Sequence, residues 1–131
     1  NVNVTTRSDG VILGGSGGHA DAAAGAKLAI VTTRLAAGGH AKIVDRATTV
    51  TTPGETVDVL VTEAGVAVNP RRSELRDRLV EAGIDVVSIE CLRDLAAGAA
   101  TGARLSKPEG RIVAVVEYRD GTVMDVVRAV G

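Results

Sequence analysis

A layered α/β architecture is what this sequence predicts, on three observations. Hydrophobic residues make up 45% of the 131-residue chain while Phe and Trp are absent and Tyr118 is the sole aromatic, so the core has to be built from Val, Ala, Leu and Ile. Apolar runs of strand length recur along the chain. Between them lies an amphipathic segment, Ser73 to Ala82, with Leu75, Leu79 and Val80 at helical spacing. The length suits one domain with a modest core, and 1–131 reads as a single domain.

The elements follow in order. Val2 and Val4 before the Ser8-Asp9-Gly10 turn read as a strand closed by a reversal, and Val11-Ile12-Leu13 leads into a glycine cluster. A short helix is expected from about Asp21 to Lys27. Leu28 to Thr33 shows too little alternation for a wet face and reads as a strand buried on both sides. Ile43-Val44 and Thr48 to Thr51 are short strand candidates. Pro53-Gly54 turns the chain into a strand at Val57 to Glu63, and Ala64-Gly65 turns it into Val66 to Val68. The helix at Ser73 to Ala82 has Ser at its cap position and Gly83 just past its end. Ile84, Val86, Val87 and Ile89 suggest another strand, and a helix from about Glu90 carries Cys91, Leu92 and Leu95. Lys107 to Gly110 reads as a surface loop. Ile112 to Tyr118, the Asp120-Gly121 turn and Val123 to Val130 form a hairpin.

Composition excludes several classes. Fifteen Lys plus Arg balance sixteen Asp plus Glu, and there is no aromatic surface on which bases could stack, so nucleic acid is not an expected partner. No apolar stretch approaches the ~18 to 20 residues that span a bilayer. The single Cys91 forms no internal disulfide, no secretory signal is visible, and the chain is expected to be soluble and cytoplasmic. Asn1 falls inside the first strand and is not Met, so a piece of a longer chain is expected. His19, His40 and Cys91 lack metal-ligand spacing, so no metal is expected. Cys91 reads as a buried structural thiol. Arg71, Arg72, Arg76 and Arg78 alternate with Glu74, Asp77 and Glu81 as on a solvated helix face.

The chemistry concentrates at Gly14-Gly15-Ser16-Gly17-Gly18-His19, four glycines in five positions followed by a histidine. Consecutive glycines let backbone N–H groups converge and let a ligand approach without meeting a Cβ, which suits an oxyanion, a phosphate or a thioester carbonyl. A tight turn with no ligand is the plain alternative. A dinucleotide fingerprint also needs an acid about 20 positions on, and the first acid after the next strand is Asp45. Ser16 has no paired base and does not sit in a G-x-S-x-G elbow, so a serine hydrolase is rejected. His19 can donate a hydrogen bond to a carbonyl or can be a simple exposed residue at a helix start. Asp21 can orient it or merely favour the first helical turn. Asn69, at the end of the Val66 to Val68 strand, is a further candidate for a polar contact.

Four segments carry a family resemblance: SDGVILGGSGGHADAAAGAKLAIV (8–31), VDRATTVTTPGETVDVLVTEAGVAVNP (44–70), EAGIDVVSIECLRDLA (81–96) and VAVVEYRDGTVMDVVRAV (113–130). In this order they resemble the C-terminal part of the citrate lyase alpha subunit, the citrate CoA-transferase family. Thr101 to Gly110 looks least like it. The resemblance implies a CoA-transferase-like α/β fold with a largely parallel sheet flanked by helices. It implies exchange of the acetyl group of an acetyl thioester, on acetyl-CoA or on the CoA-like prosthetic group of an acyl carrier protein, for citrate. It further implies a citryl lyase subunit as partner, an N-terminal half of the same enzyme or a second chain, and a homo-oligomer.

In the related 3-oxoacid CoA-transferases a segment similar to Gly15-Ser16-Gly17-Gly18 lies beside the thioester. Their nucleophilic glutamate lies upstream, on sequence this chain does not contain. The citrate lyase subunit is thought to work instead through a mixed anhydride. On this reading Gly17, Gly18 and His19 are the catalytic candidates, and Gly14, Gly15, Ser16 and Asn69 are the substrate-binding ones. The rival reading is a non-catalytic acyl-thioester-binding or assembly module.

Overall fold

The structure, a computed structural model, describes residues 1–102 and 108–130. In chain order its elements are α1 (His19–Gly25), β1 (Ile30–Thr32), β2 (Ala36–Ala37), β3 (His40–Ala41), a 3-10 turn (Gly54–Thr56), β4 (Val59–Thr62), β5 (Gly65–Val68), α2 (Ser73–Glu81), α3 (Ile89–Ala99), β6 (Ile112–Glu117) and β7 (Val123–Arg128). Length alone predicts one domain; the packing distinguishes two compact units. The first comprises Asn1–Lys27, Arg46–Thr56 and the described residues from 108 onward, the second Leu28–Asp45 and residues 57–102.

The sheets are small and mostly antiparallel, which corrects the expectation of a largely parallel sheet. β1, β4 and β5 form a three-stranded sheet in which only β1 and β4 are parallel; β4–β5, β2–β3 and β6–β7 are all antiparallel. The reason is the length of the connections. Glu63-Ala64, Gly38-Gly39 and the Asp120-Gly121 turn join consecutive strands too tightly for the crossover a parallel pair requires. The expected strand at 84–89 reduces to one parallel bridge, Val66 to Val86, because Ser88 already caps a helix. No strand forms at 43–44 or 48–51. Of the expected loop at 107–110, Lys107 lies outside the described residues.

In the second unit Leu35, Ile43, Ala67, Leu92 and Ala96 form the core, with Ala41, Leu60, Ala64 and Val87 packed against it. The Ser88 hydroxyl accepts the Cys91 amide at 3.1 Å and starts α3. Leu92 and Ala96, four apart on one face, are wholly buried. Cys91 is therefore exposed, correcting the buried thiol: the face that packs is the one through 92 and 96, and 91 lies to its side. β1 is half-open rather than buried on both sides, with Ile30 and Thr32 exposed, and among the described residues it is an edge strand paired with β4. α2 buries no residue outright, as its charged sequence suggests, and Arg76 pairs with Asp77 at 2.8 Å. Its C-terminus is closed by Gly83 at φ +79°, with the Gly83 amide on the Val80 carbonyl and the Ile84 amide on the Leu79 carbonyl. That is the six-to-one and five-to-two pairing in which glycine is favoured.

The first unit is organised differently. Val2 and Val4 do not form a strand; the segment is held by the bridges Val2–Thr52 and Thr6–Ile12. Its interior is lined by hydroxyls: Thr6, Thr49, Thr51 and Thr52 are all buried. Thr6 Oγ1 donates to Thr49 Oγ1 at 2.9 Å, and Thr51 Oγ1 accepts the Val4 amide at 3.0 Å, so these groups are satisfied within the unit. The β6–β7 hairpin is present as expected, with a register shift that drops Val113 out of the ladder. Ile112, Val113, Val115 and Val123 remain exposed on it.

Candidate functional site

The glycine segment runs from the Thr6–Ile12 bridge to the start of α1, all within the first unit. The apolar run at 11–13 is held by that bridge, whose two bonds are the Arg7 amide on the Val11 carbonyl at 2.9 Å and the Leu13 amide on the Thr5 carbonyl at 2.8 Å. The chain then leaves the unit's hydrogen-bond framework. Among the described residues, the amides of Gly14, Gly15, Ser16, Gly17 and Gly18 donate to no partner. Regular bonding resumes where the His19 amide meets the Ser16 carbonyl at 3.4 Å and the Ala22 amide meets the Gly18 carbonyl at 2.8 Å.

Two geometric facts say why glycine stands here. Gly17 alone in the segment takes a left-handed conformation, φ +53°, which side chains resist. Gly14, Gly15 and Gly18 have no such need, and a Cβ placed on any of the four glycines would meet nothing within 4 Å among the described residues. Neither backbone strain nor internal packing requires glycine at 14, 15 or 18.

α1 is seven residues long and Gly18 caps it without a side-chain bond, so it adds only a modest dipole to the site. His19 occupies its first position, half-buried, with Nδ1 2.7 Å from Thr52 Oγ1. The side chain that holds the ring is therefore Thr52, not Asp21. No sequence signal named Thr52, which lies 33 positions away in a run that reads simply as β-branched.

Asn69 falls in the second unit. Its Nδ2 donates to the Val57 carbonyl at 2.8 Å and its Oδ1 accepts the Arg71 amide at 3.1 Å, so its carboxamide braces the ends of β4 and β5 and the turn into α2. Close by, Asp58 Oδ2 accepts the Ala29 amide at 2.8 Å while Oδ1 pairs with Arg72 Nε at 2.9 Å. The structure thus brings Gly14, Gly15, Ser16, Gly17, Gly18 and His19 together as one continuous segment and gives Asn69 partners of its own.

Charge elsewhere is local. The Glu63 carboxyl is held below its usual range by its own amide and the Leu35 amide, with Arg34 adding a smaller pull. Arg7, bonded to Asp9, lowers that carboxyl, and the Thr122 hydroxyl and amide lower Asp120. Among the described residues no group of three or more His, Cys, Asp or Glu side chains could hold a metal ion, and no helix is long and apolar enough to cross a membrane.

Fold and site together define a mixed α/β chain with a glycine-lined run of main-chain amides that have no partner among the described residues, beside an imidazole bonded to Thr52. The family model "Citrate lyase, alpha subunit (CitF)" matches residues 1–130. The citrate lyase alpha chain of Escherichia coli is 52% identical over 130 residues, which is 99% of this chain and 26% of that relative. That of Klebsiella pneumoniae is 49% identical with the same coverage. A solved structure from Streptococcus mutans, described as the alfa subunit of citrate lyase in complex with citrate, superposes with a TM-score of 0.94 at 44% identity, covering 100% of this chain and 26% of that one. The chain belongs to the citrate lyase alpha subunit family, and it spans about a quarter of the length of the relatives it matches.

Proposed function

We propose that this chain is the glycine-cradle portion of a citrate CoA-transferase, the component of citrate lyase that exchanges an acetyl group for a citryl group on a thioester. A citrate carboxylate attacks the acetyl thioester carbonyl and releases the thiolate, leaving an acetyl–citryl mixed anhydride. The thiolate then attacks the citryl carbonyl of the anhydride, forming the citryl thioester and releasing acetate. Each attack places negative charge on a carbonyl oxygen. The observation that carries the reading is the run of five amides, Gly14 to Gly18, with no partner among the described residues, four of them on glycines where a Cβ would meet nothing within 4 Å. Gly17 and Gly18 are assigned as oxyanion donors, His19 as a side-chain donor, and Gly14, Gly15 and Ser16 as the lining along which the thioester lies. CoA, or the CoA-like group of an acyl carrier protein, supplies the thiol, and the open Cβ positions fit a substituent lying against bare main chain. Asn69, bonded within its own unit, supports the scaffold. The reading puts the chain in a cytoplasmic complex with a citryl lyase subunit and an acyl carrier protein.

The test uses the full-length subunit with acetyl-CoA and citrate, reading citryl-CoA by mass spectrometry. Gly18→Ala meets no internal clash and no forbidden dihedral, so the fold should be intact while transfer falls about 100-fold as the methyl displaces the thioester. An unchanged rate in the folded variant overturns the assignment.

A second reading is a binding or assembly module with no turnover of its own. Citryl-CoA formed by the purified 131-residue chain would exclude it. A folded sample that binds acetyl-CoA without turnover would favour it.

A further inference from the structure

We propose that Thr52 is a positioning residue that locks His19 in the tautomer carrying its proton on Nε2. The inference deepens the proposed function and rests on that reading for its catalytic consequence, though not for its structural content.

The argument is one of hydrogen-bond satisfaction. Thr52 is fully buried, and among the described residues the single bond of its hydroxyl is the 2.7 Å contact with His19 Nδ1. A hydroxyl holds one proton to donate and two lone pairs to accept with. If Nδ1 carried the imidazole proton, Thr52 Oγ1 would accept it, and the hydroxyl's own proton would be left in the interior with no acceptor among the described residues. A buried donor without a partner is the costlier defect, because it has lost water and gained nothing. If Thr52 donates, Nδ1 accepts with its free lone pair and nothing is orphaned. The neutral ring then bears its proton on Nε2, which has no partner among the described residues.

Thr52 is itself held in place. Its amide donates to the Val2 carbonyl at 3.1 Å, and its carbonyl accepts the Val2 amide at 2.9 Å. The anchor is therefore a bridge residue in the hydroxyl-lined interior of the first unit, and the ring is fixed from behind. The consequence is an N–H donor on the residue next to the amides of Gly17 and Gly18, which have no partner among the described residues, and of the same sign as those amides. His19 adds a donor for a carbonyl oxygen and is not set up as a base through Nε2.

The experiment is ¹⁵N NMR of histidine-labelled full-length subunit, with the His19 signals identified by their loss in His19→Gln. The wild type should show a protonated Nε2 and a bare Nδ1 in the neutral ring, and Thr52→Val should give a tautomer mixture that Thr52→Ser returns to the wild-type pattern. In the same proteins, transfer should show kcat reduced about 10-fold by Thr52→Val, with KM little changed and recovery in Thr52→Ser. A wild-type His19 protonated on Nδ1 overturns the proposal without reference to any variant, so a Thr52→Val protein that fails to fold does not shield it. A Thr52→Val spectrum identical to the wild type overturns it as well. If the tautomer shifts while neither Thr52→Val nor His19→Gln alters the rate, the positioning stands and the catalytic role of His19 is lost.

Discussion

Glu63 sits at the end of β4 with both carboxylate oxygens near the Leu35 amide, at 3.1 and 3.2 Å. Those contacts exist for the ionised form, which is why the group is held below the ordinary carboxylate range. A folded-state pKa below the unfolded one adds stability that is complete above the unfolded value and is lost as pH falls through the folded value. Urea midpoints compared at pH 7 and at about pH 3 should therefore fall less in Glu63→Gln than in the wild type. The difference should shrink with added salt, since the group is exposed. Gly65 illustrates the opposite case, a residue that must lack a side chain. It turns β4 into β5 at φ +143°, and a Cβ there would stand 3.0 Å from Val87 Cγ2, which packs against the core. Gly65→Ala should lower the unfolding free energy by about 1 to 3 kcal/mol, whereas Gly15→Ala, which meets open space, should leave it unchanged within about 0.5 kcal/mol.

Elements held by local signals behave as their sequence says. α3 starts at a serine cap and buries Leu92, so Ser88→Ala should cost about 1 kcal/mol and Leu92→Ala about 3 kcal/mol in denaturant unfolding. Cys91→Ser on the exposed side should cost less than about 0.5 kcal/mol. Both helices after residue 70, the β4–β5 turn and the β6–β7 hairpin are legible in the sequence because caps, glycines and alternation lie within a few residues of the structure they specify. Sheet direction is not. Continuous apolar runs such as Leu28 to Val31 look like parallel, doubly covered strands, while the fold uses them as short edges whose partners are set by turn length. The glycine segment stands out in the sequence as a candidate because four glycines in five positions weaken helix and strand alike and leave bare main chain in their place. Its anchor is not, since a threonine that holds a histidine and a threonine that fills a strand are written alike. Cys91 and Leu92 are adjacent on the helix, and a rotation of one position decides that Leu92 rather than Cys91 turns inward.

At the scale of the molecule, β6 has an unusual environment for an apolar strand. Ile112, Val113 and Val115 are each about half-exposed, so both faces of the strand are open where a run of this composition normally finds cover. The purified 131-residue chain should therefore self-associate in sedimentation at high concentration, and replacing Val113, Val115 and Val123 by Lys should shift it toward monomer. Monomeric behaviour of the unmodified chain at the same concentration would contradict this. The first unit's threonine-lined interior has a thermal consequence of its own. Exposing hydrocarbon to water raises heat capacity and exposing polar groups lowers it, so an interior in which Thr6, Thr49, Thr51 and Thr52 are buried beside Val127 should unfold with a smaller heat-capacity increment than one packed from Leu and Ile. Its stability curve should be shallow, varying little between cold and warm conditions, while the Leu- and Ala-packed second unit bends more strongly with temperature.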